Sequence, residues 1–324
     1  MPTTGKLRPE GVSVRAGARL HLGFLDLAGD LGRRFGSFGL AIDRFETRID
    51  MRRAARFTAT GAEPARIERL ARMLTERFAS TGEVAVDVAA AIPAHAGLGS
   101  GTQLALALAL AFRRLHGFAP DTGADAAALL RGARSGLGVA LFDHGGFMLD
   151  AGRGPTTDLP PIVSRLTFPP DWRVLLLIDA DGDGVHGEDE RAAFAALPPF
   201  PAQGAADICR RALMQVLPGV AEADFAAFAE GLSAIQRRLG DHFAPAQGGG
   251  RFTSPRVGEI AAVLERAGAR GIGQSSWGPT GFVFARDPDE AAHWLALAQE
   301  QARGKVRAQI HAARAHGADC VLLP

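Results

Sequence analysis

Apolar residues recur along this chain with two different periods, and the periods mark out its elements. Val12 to Leu22 reads as a strand, and Gly39 to Met51 as another. Val84, Val86 and Val88 alternate with smaller or polar residues, the pattern of a half-buried strand. From Pro64 to Ala79 the spacing becomes helical, through Ile67, Leu70, Met73, Leu74 and Phe78. Leu104 to Phe112 alternates Leu and Ala, but its length, alanine content and lack of β-branched residues predict a buried helix. Farther on we expect a strand at Trp172 to Ile178, helices around 204–217, 222–239 and 255–267, then two short strands and a final helix. Pro155, Pro160, Pro161, Pro169 and Pro170 mark the best linker. The expected fold is α+β in two domains, residues 1–165 and a smaller unit at 166–324.

Composition narrows the functional classes. A length of 324 residues supports a real core. The net charge of +1 argues against nucleic acid as a partner. Cys209 and Cys320 are too few for a disulfide framework and lack metal-site spacing. Met1 to Gly11 has no apolar targeting core, and no apolar run reaches membrane-spanning length. A cytoplasmic setting without membrane contact is the expectation.

The chemistry is concentrated in glycine turns. Pro93-Ala-His-Ala-Gly97-Leu98-Gly99-Ser100-Gly101-Thr102-Gln103 lies between the Val84–Val88 strand and the Leu/Ala helix. A strand, a glycine turn and a helix start put free N–H groups at the positive end of a helix, a cradle for phosphate or pyrophosphate. This turn has neither a Gly-Lys-Ser/Thr ending nor a G-x-G-x-x-G opening a βαβ unit. A second glycine site, Gly268-Ala-Arg270-Gly271-Ile-Gly273-Gln274-Ser275-Ser276-Trp277-Gly278-Pro279-Thr280-Gly281, precedes the apolar run Phe282 to Phe284. Asp179-x-Asp181-x-Asp183-Gly184 through Glu190 fits a calcium loop, although the strand ahead of it is the wrong context for an EF-hand.

The P-x-x-x-G-L-G-S pattern resembles the phosphate loop of the GHMP kinase superfamily, whose two-domain α+β fold is thereby expected. In many such kinases an S-G-x-D segment supplies the base. Here Ser135-Gly136-Leu137-Gly138 has glycine at that position, and Gly101-Thr102-Gln103 replaces the usual second Ser and small residues. The runs Ala18 to Leu27, Phe35 to Ile42, Ala96 to Gln103 and Gly273 to Thr280 resemble the β-ribofuranosylaminobenzene 5′-phosphate synthase family. That resemblance implies a transferase of tetrahydromethanopterin biosynthesis. It would join phosphoribosyl pyrophosphate to 4-hydroxybenzoate or 4-aminobenzoate with release of CO2 and pyrophosphate, using Mg2+ and working as a homodimer. The alternatives are a small-molecule kinase with its base at Asp143 or Asp26, and a calcium-binding module.

Under the resemblance, Gly97, Leu98, Gly99, Ser100, Gly101, Thr102 and Gln103 bind phosphate. His21 or Asp26 is the base, and Arg19 or Arg34 holds the arene carboxylate. Ser37 with its neighbouring arginines suits a 5′-phosphate, and Gln274, Ser275, Ser276 and Trp277 line the substrate pocket. Glu188 or Glu190 is a further candidate for metal or base, and the metal ligands are left unassigned. The residues also admit plainer readings: His21 as a satisfied imidazole in a strand, Asp26 as a turn cap, Trp277 as packing.

Overall fold

The structure, a computed structural model, describes residues 9–80, 83–182, 192, 193 and 195–324. Its first part contains β1 (Gly11–Asp26), β2 (Phe35–Arg53), β3 (Thr58–Gly61), α1 (Pro64–Phe78), β4 (Val84–Ala90), α2 (Ser100–His116), α3 (Thr122–Ala128), α4 (Leu137–His144), β5 (Phe147–Asp150) and β6 (Ile162–Leu166). There follow β7 (Arg173–Asp179), α5 (Ala202–Arg211), α6 (Leu217–Ala221), α7 (Phe225–Phe243) and α8 (Pro255–Arg266). β8 (Ile272–Gln274), β9 (Thr280–Ala285), α9 (Pro288–Ala302), β10 (Val306–His311) and β11 (Asp319–Leu323) complete the set.

Two sheets organise these elements. The larger has the order β11-β1-β2-β4-β3, with β5 against β2 and β6 against β5; the smaller has the order β10-β7-β9-β8. β1 and β2 form a long antiparallel ribbon with register breaks between Gly17 and Arg19 and between His21 and Gly23. At the first break the ribbon passes from one core to another. Val12, Val14 and Ala16 pack with Ile49, Met51, Leu70, Leu74 and the α2 side chains Leu104 to Phe112, whereas Ala18, Leu20 and Leu22 pack with Phe38, Phe147, Trp172, Phe228 and Phe284. Helix α2 is buried on nearly every side, so its sequence needs no polar stripe.

The second core spans residue 165, and the expected linker is stitched into the first sheet as β6. β7 is buried on both faces. Val174 and Leu176 join the shared core; Leu175 and Leu177 join a third core under α8 and α9, with Ile260, Leu264 and Trp294. The helix expected at 204–217 is α5 continued through a wider π turn at 212–216. Two strands follow the expected last helix. β10 pairs with β7, and β11 returns to the first sheet beside β1, with Gly11 opposite Leu323.

The far end of α2 is fixed by charge. Arg113 gives Asp125 of α3 two buried hydrogen bonds, of 2.6 and 2.8 Å. Asp125→Ala strands the guanidinium and is expected to cost about 3–5 kcal/mol by urea denaturation; a loss below about 1 kcal/mol, the level of a surface pair, would contradict this account.

Candidate active site

Two glycine turns meet over one strand. Gly97 and Gly99 sit at φ +76° and +81°, in the left-handed region that favours glycine. A Cβ on Gly97 would also strike the carbonyl of Ser275, and one on Gly278 would strike the backbone of Ala96 and Gly97. Thr102 N and Gln103 N both donate to Gly99 O at 3.1 Å. The amides of Ser100 and Gly101 therefore stand ahead of the first helical hydrogen bond, facing outward at the positive end of α2.

Ser275 is the clasp. Its fully buried hydroxyl donates to Gly97 O at 2.8 Å and accepts the His21 N–H at 3.1 Å. Ser276 N donates to His21 O at 3.3 Å, and Arg19 N donates to Leu98 O at 3.0 Å. Arg19 braces the same turn through its side chain, with Nη1 3.0 Å from Gly97 O. Leu98 itself points into the core.

His21 follows directly from this clasp. The register break after it lies at the deep end of the ribbon, and such breaks re-aim side chains beside active sites. Its ring packs edge-on to Phe24 with centroids 4.6 Å apart, and Nε2 has no hydrogen-bond partner among the described residues. Burial first, then the charges of Arg19 and Arg134, lower its pKa from 6.5 to about 3. The imidazole is thus neutral at ordinary pH.

A narrow cleft opens beside His21. Phe24, Leu239, Phe243 and Trp277 give it apolar walls, and Gln236, Gln247, Gln274, Ser276 and Arg251 line the remainder. Trp277 meets Phe243 edge-on at 4.9 Å. Gln274 is held by Thr253 N, Gln236, Gln247 and Ser276 O, so its amide is fixed before any ligand arrives. Arg251 sits at the rim in an ion pair with Asp241.

The remaining candidates lie elsewhere. Asp26 Oδ1 accepts the Ala28 and Gly29 amides at 2.7 and 2.9 Å, which caps a turn. Arg34 is exposed, reaches Leu27 O at 3.3 Å and stacks near Phe35. Ser37 donates to Asp150 at 2.6 Å, joined there by Ser135 and the amides of Gly136 and Gly152. Burial pushes the Asp150 carboxyl up, against the pull of these hydrogen bonds. The Gln103 side chain turns inward, giving its amide to Gly138 O at 2.9 Å. Glu188 and Glu190 lie outside the described residues. Of the calcium-like loop, Asp179 and Asp181 are engaged by Arg256, and Ser254 also donates to Asp179; a strand precedes them. Sequence reasoning missed Asp150, whose only sign was a lone acid closing the apolar run Phe147 to Leu149, and the cleft residues that α7 supplies.

Family models agree with this arrangement. The GHMP kinases N terminal domain matches residues 65–146 and the GHMP kinases C terminal domain residues 216–301. A β-ribofuranosylphenol 5′-phosphate synthase of Archaeoglobus fulgidus is 36% identical over 84% of this chain and 87% of its own length. The chain belongs to the β-ribofuranosylphenol 5′-phosphate synthase family. Its Methanothermobacter thermautotrophicus namesake is 29% identical over 82% of this chain and 86% of its own. As a member of that synthase family the chain is a transferase, more narrowly a pentosyltransferase. Among solved structures, a homoserine kinase of Cytophaga hutchinsonii aligns over 99% of both chains at TM-score 0.69 and 17% identity. A mevalonate diphosphate decarboxylase of Staphylococcus aureus covers 96% of this chain and 98% of its own at 0.66 and 14%; both show the shared fold. Among the described residues no helix is long and apolar enough to cross a membrane.

The buried imidazole leaves a signature in solution. The unfolded chain binds a proton at His21 below about pH 6.5, and the native state binds none until about pH 3. Stability therefore falls as pH drops through that window, by up to about 1.4 kcal/mol per unit from this group. His21→Gln is expected to flatten the acid side of the Tm–pH curve. An unchanged slope would show that the ring titrates normally.

Proposed function

We propose that this family member joins phosphoribosyl pyrophosphate to 4-hydroxybenzoate, releasing CO2 and pyrophosphate, as a step of tetrahydromethanopterin biosynthesis. The choice of 4-hydroxybenzoate over 4-aminobenzoate follows the phenol in the relatives' names. One observation carries the reading. At Gly138, where resembling kinases hold their base, a Cβ would already lie 3.1 Å from Thr102 Cγ2, and the backbone carbonyl is taken by Gln103. Glycine supplies no carboxylate there, and a larger side chain would press on Thr102, while the amides of Ser100 and Gly101 remain available to an anion. A general base must reach the proton it removes.

The chemistry divides between the two halves of the site. The sugar C1–oxygen bond breaks and its electron pair leaves with the diphosphate, steadied by the α2 amides; one preorganised donor of this sort is worth about 3 kcal/mol. The ring carbon bearing the carboxylate bonds to C1. The bond to the carboxylate then breaks, its pair restores the aromatic ring, and CO2 departs. Trp277, Phe243 and Phe24 hold the flat arene, and neutral His21 takes the hydrogen bond of the 4-hydroxyl, releasing electron density toward the ring. Arg251 faces the carboxylate until it is lost. Arg19, occupied with the turn, positions the phosphate loop. When bound, Mg2+ supplies charge neutralisation of the diphosphate. The Ser100 hydroxyl, at the start of α2 beside the free amides, would be the protein group to hold such an ion. The same reading makes the working form a cytoplasmic homodimer, which light scattering tests.

Purified protein given phosphoribosyl pyrophosphate, Mg2+ and 4-hydroxybenzoate is expected to release CO2 and pyrophosphate in equal amounts, and to phosphorylate none of a panel of alcohols with ATP. His21→Ala is expected to lower kcat by about 10²–10⁴-fold with the fold intact. A phosphorylated alcohol formed at an enzymatic rate would overturn the reading.

A further inference from the structure

Two arginines from separate elements converge on the first turn of α2 at Gly101. A Cβ placed there would lie 2.5 Å from Arg66 Nη2 and 3.6 Å from Arg131 Nη1. Arg66 projects from the first turn of α1, while Arg131 follows α3. Leu130, 82% exposed and at φ +56°, makes the turn that brings Arg131 inward, and the turn is closed by Arg131 N donating to Ala126 O at 2.7 Å. Leu130 N also donates to Ala127 O at 3.1 Å, and these two helix-ending bonds offset the cost of the left-handed residue.

The charges do not balance. Glu63 is already committed to Arg66 at 2.7 Å. Arg131 has no ion pair among the described residues, and Nε of both arginines is buried without a hydrogen-bond partner there. Burial first, then the charges of Arg66 and Arg69, disfavour the charged form of Arg131, against the pull of Glu63. Like-charged guanidiniums held together beside outward-facing amides form a site that an anion of high charge would complete. Gly101 makes this possible, because the second Ser of the kinase-type loop would push Arg66 away.

We propose that Arg66 and Arg131 form a two-guanidinium clamp over Gly101 that grips the distal phosphoryl group of a diphosphate. The clamp rests on reading the α2 turn as a diphosphate cradle, and it gives the departing pyrophosphate counter-charges that the loop amides alone do not carry. It also sets specificity, since a monophosphate on the amides leaves the clamp empty.

Calorimetric titration of the full chain with inorganic pyrophosphate and Mg2+ tests it. Arg131→Gln and Arg66→Gln are each expected to weaken pyrophosphate by about 10- to 100-fold, and inorganic phosphate much less. Arg131→Lys is expected to recover part of the loss, and the ligand-free Tm of Arg131→Gln to hold or rise, because a repelling charge is gone. Arg270→Gln, a remote exposed arginine, controls for net charge. Should Arg131→Gln not fold, Arg66→Gln carries the test by itself, with the same loss expected. Unchanged pyrophosphate affinity in a folded variant, an equal loss in Arg270→Gln, or no pyrophosphate binding by the parent chain would overturn the clamp. Parent protein that binds pyrophosphate but turns over no benzoate would sink the proposed reaction and leave the clamp standing. Turnover with kinetics untouched in Arg131→Gln would do the reverse.

Discussion

One hydroxyl holds this site together. Ser275 donates to the Gly97 carbonyl and accepts the His21 amide, so three segments far apart in sequence share a single buried atom. The flanking glycines allow the approach, because neither Gly97 nor Gly278 could carry a Cβ at that distance. The geometry of the phosphate turn, the orientation of the imidazole and the roof of the aromatic cleft are consequently one constraint. A buried hydrogen-bond network with every member satisfied is rigid, and rigidity is what a site gains from it.

The same scaffold in resembling kinases needs a carboxylate beside the phosphates. Here that position is Gly138, pressed against Thr102 and tied by Gln103, so two departures in the phosphate loop and one in the Ser-Gly segment form a single contact. They were legible as separate oddities in the sequence, and only the packing of α4 on α2 joins them. Anion binding and proton abstraction are separable properties of the fold: the helix end offers backbone donors for the first, and the second depends on one side chain.

Strong periodicity made the main elements readable. The alternation in β4 and the spacing in α1 survive within a residue or two, because each has one wet and one dry face. Helix α2 begins earlier than its apolar run, at Ser100, because its start is set by the left-handed Gly99 rather than by hydrophobicity. β10 and β11 have little apolar periodicity of their own and owe their existence to the strands beside them. In the site, both glycine turns announced themselves through composition. Arg66 and Arg131 did not, since a charged residue on a helix or after one reads as solvated surface. Asp150 was hidden for the converse reason: its bond to Ser37 crosses from β2 to β5, and Ser37 read as a phosphate contact rather than as its partner.

The return of β11 to the edge of β1 has a temporal meaning. Residues 11–15 are synthesised well before residues 319–323, which fill their outer hydrogen-bonding edge. Until the latter emerge, the nascent sheet presents an unpaired strand, the kind of edge through which incomplete chains associate. Closure of the larger sheet therefore waits on a segment distant in the chain, and loss of residues 319–323 would leave the outer edge of β1 exposed.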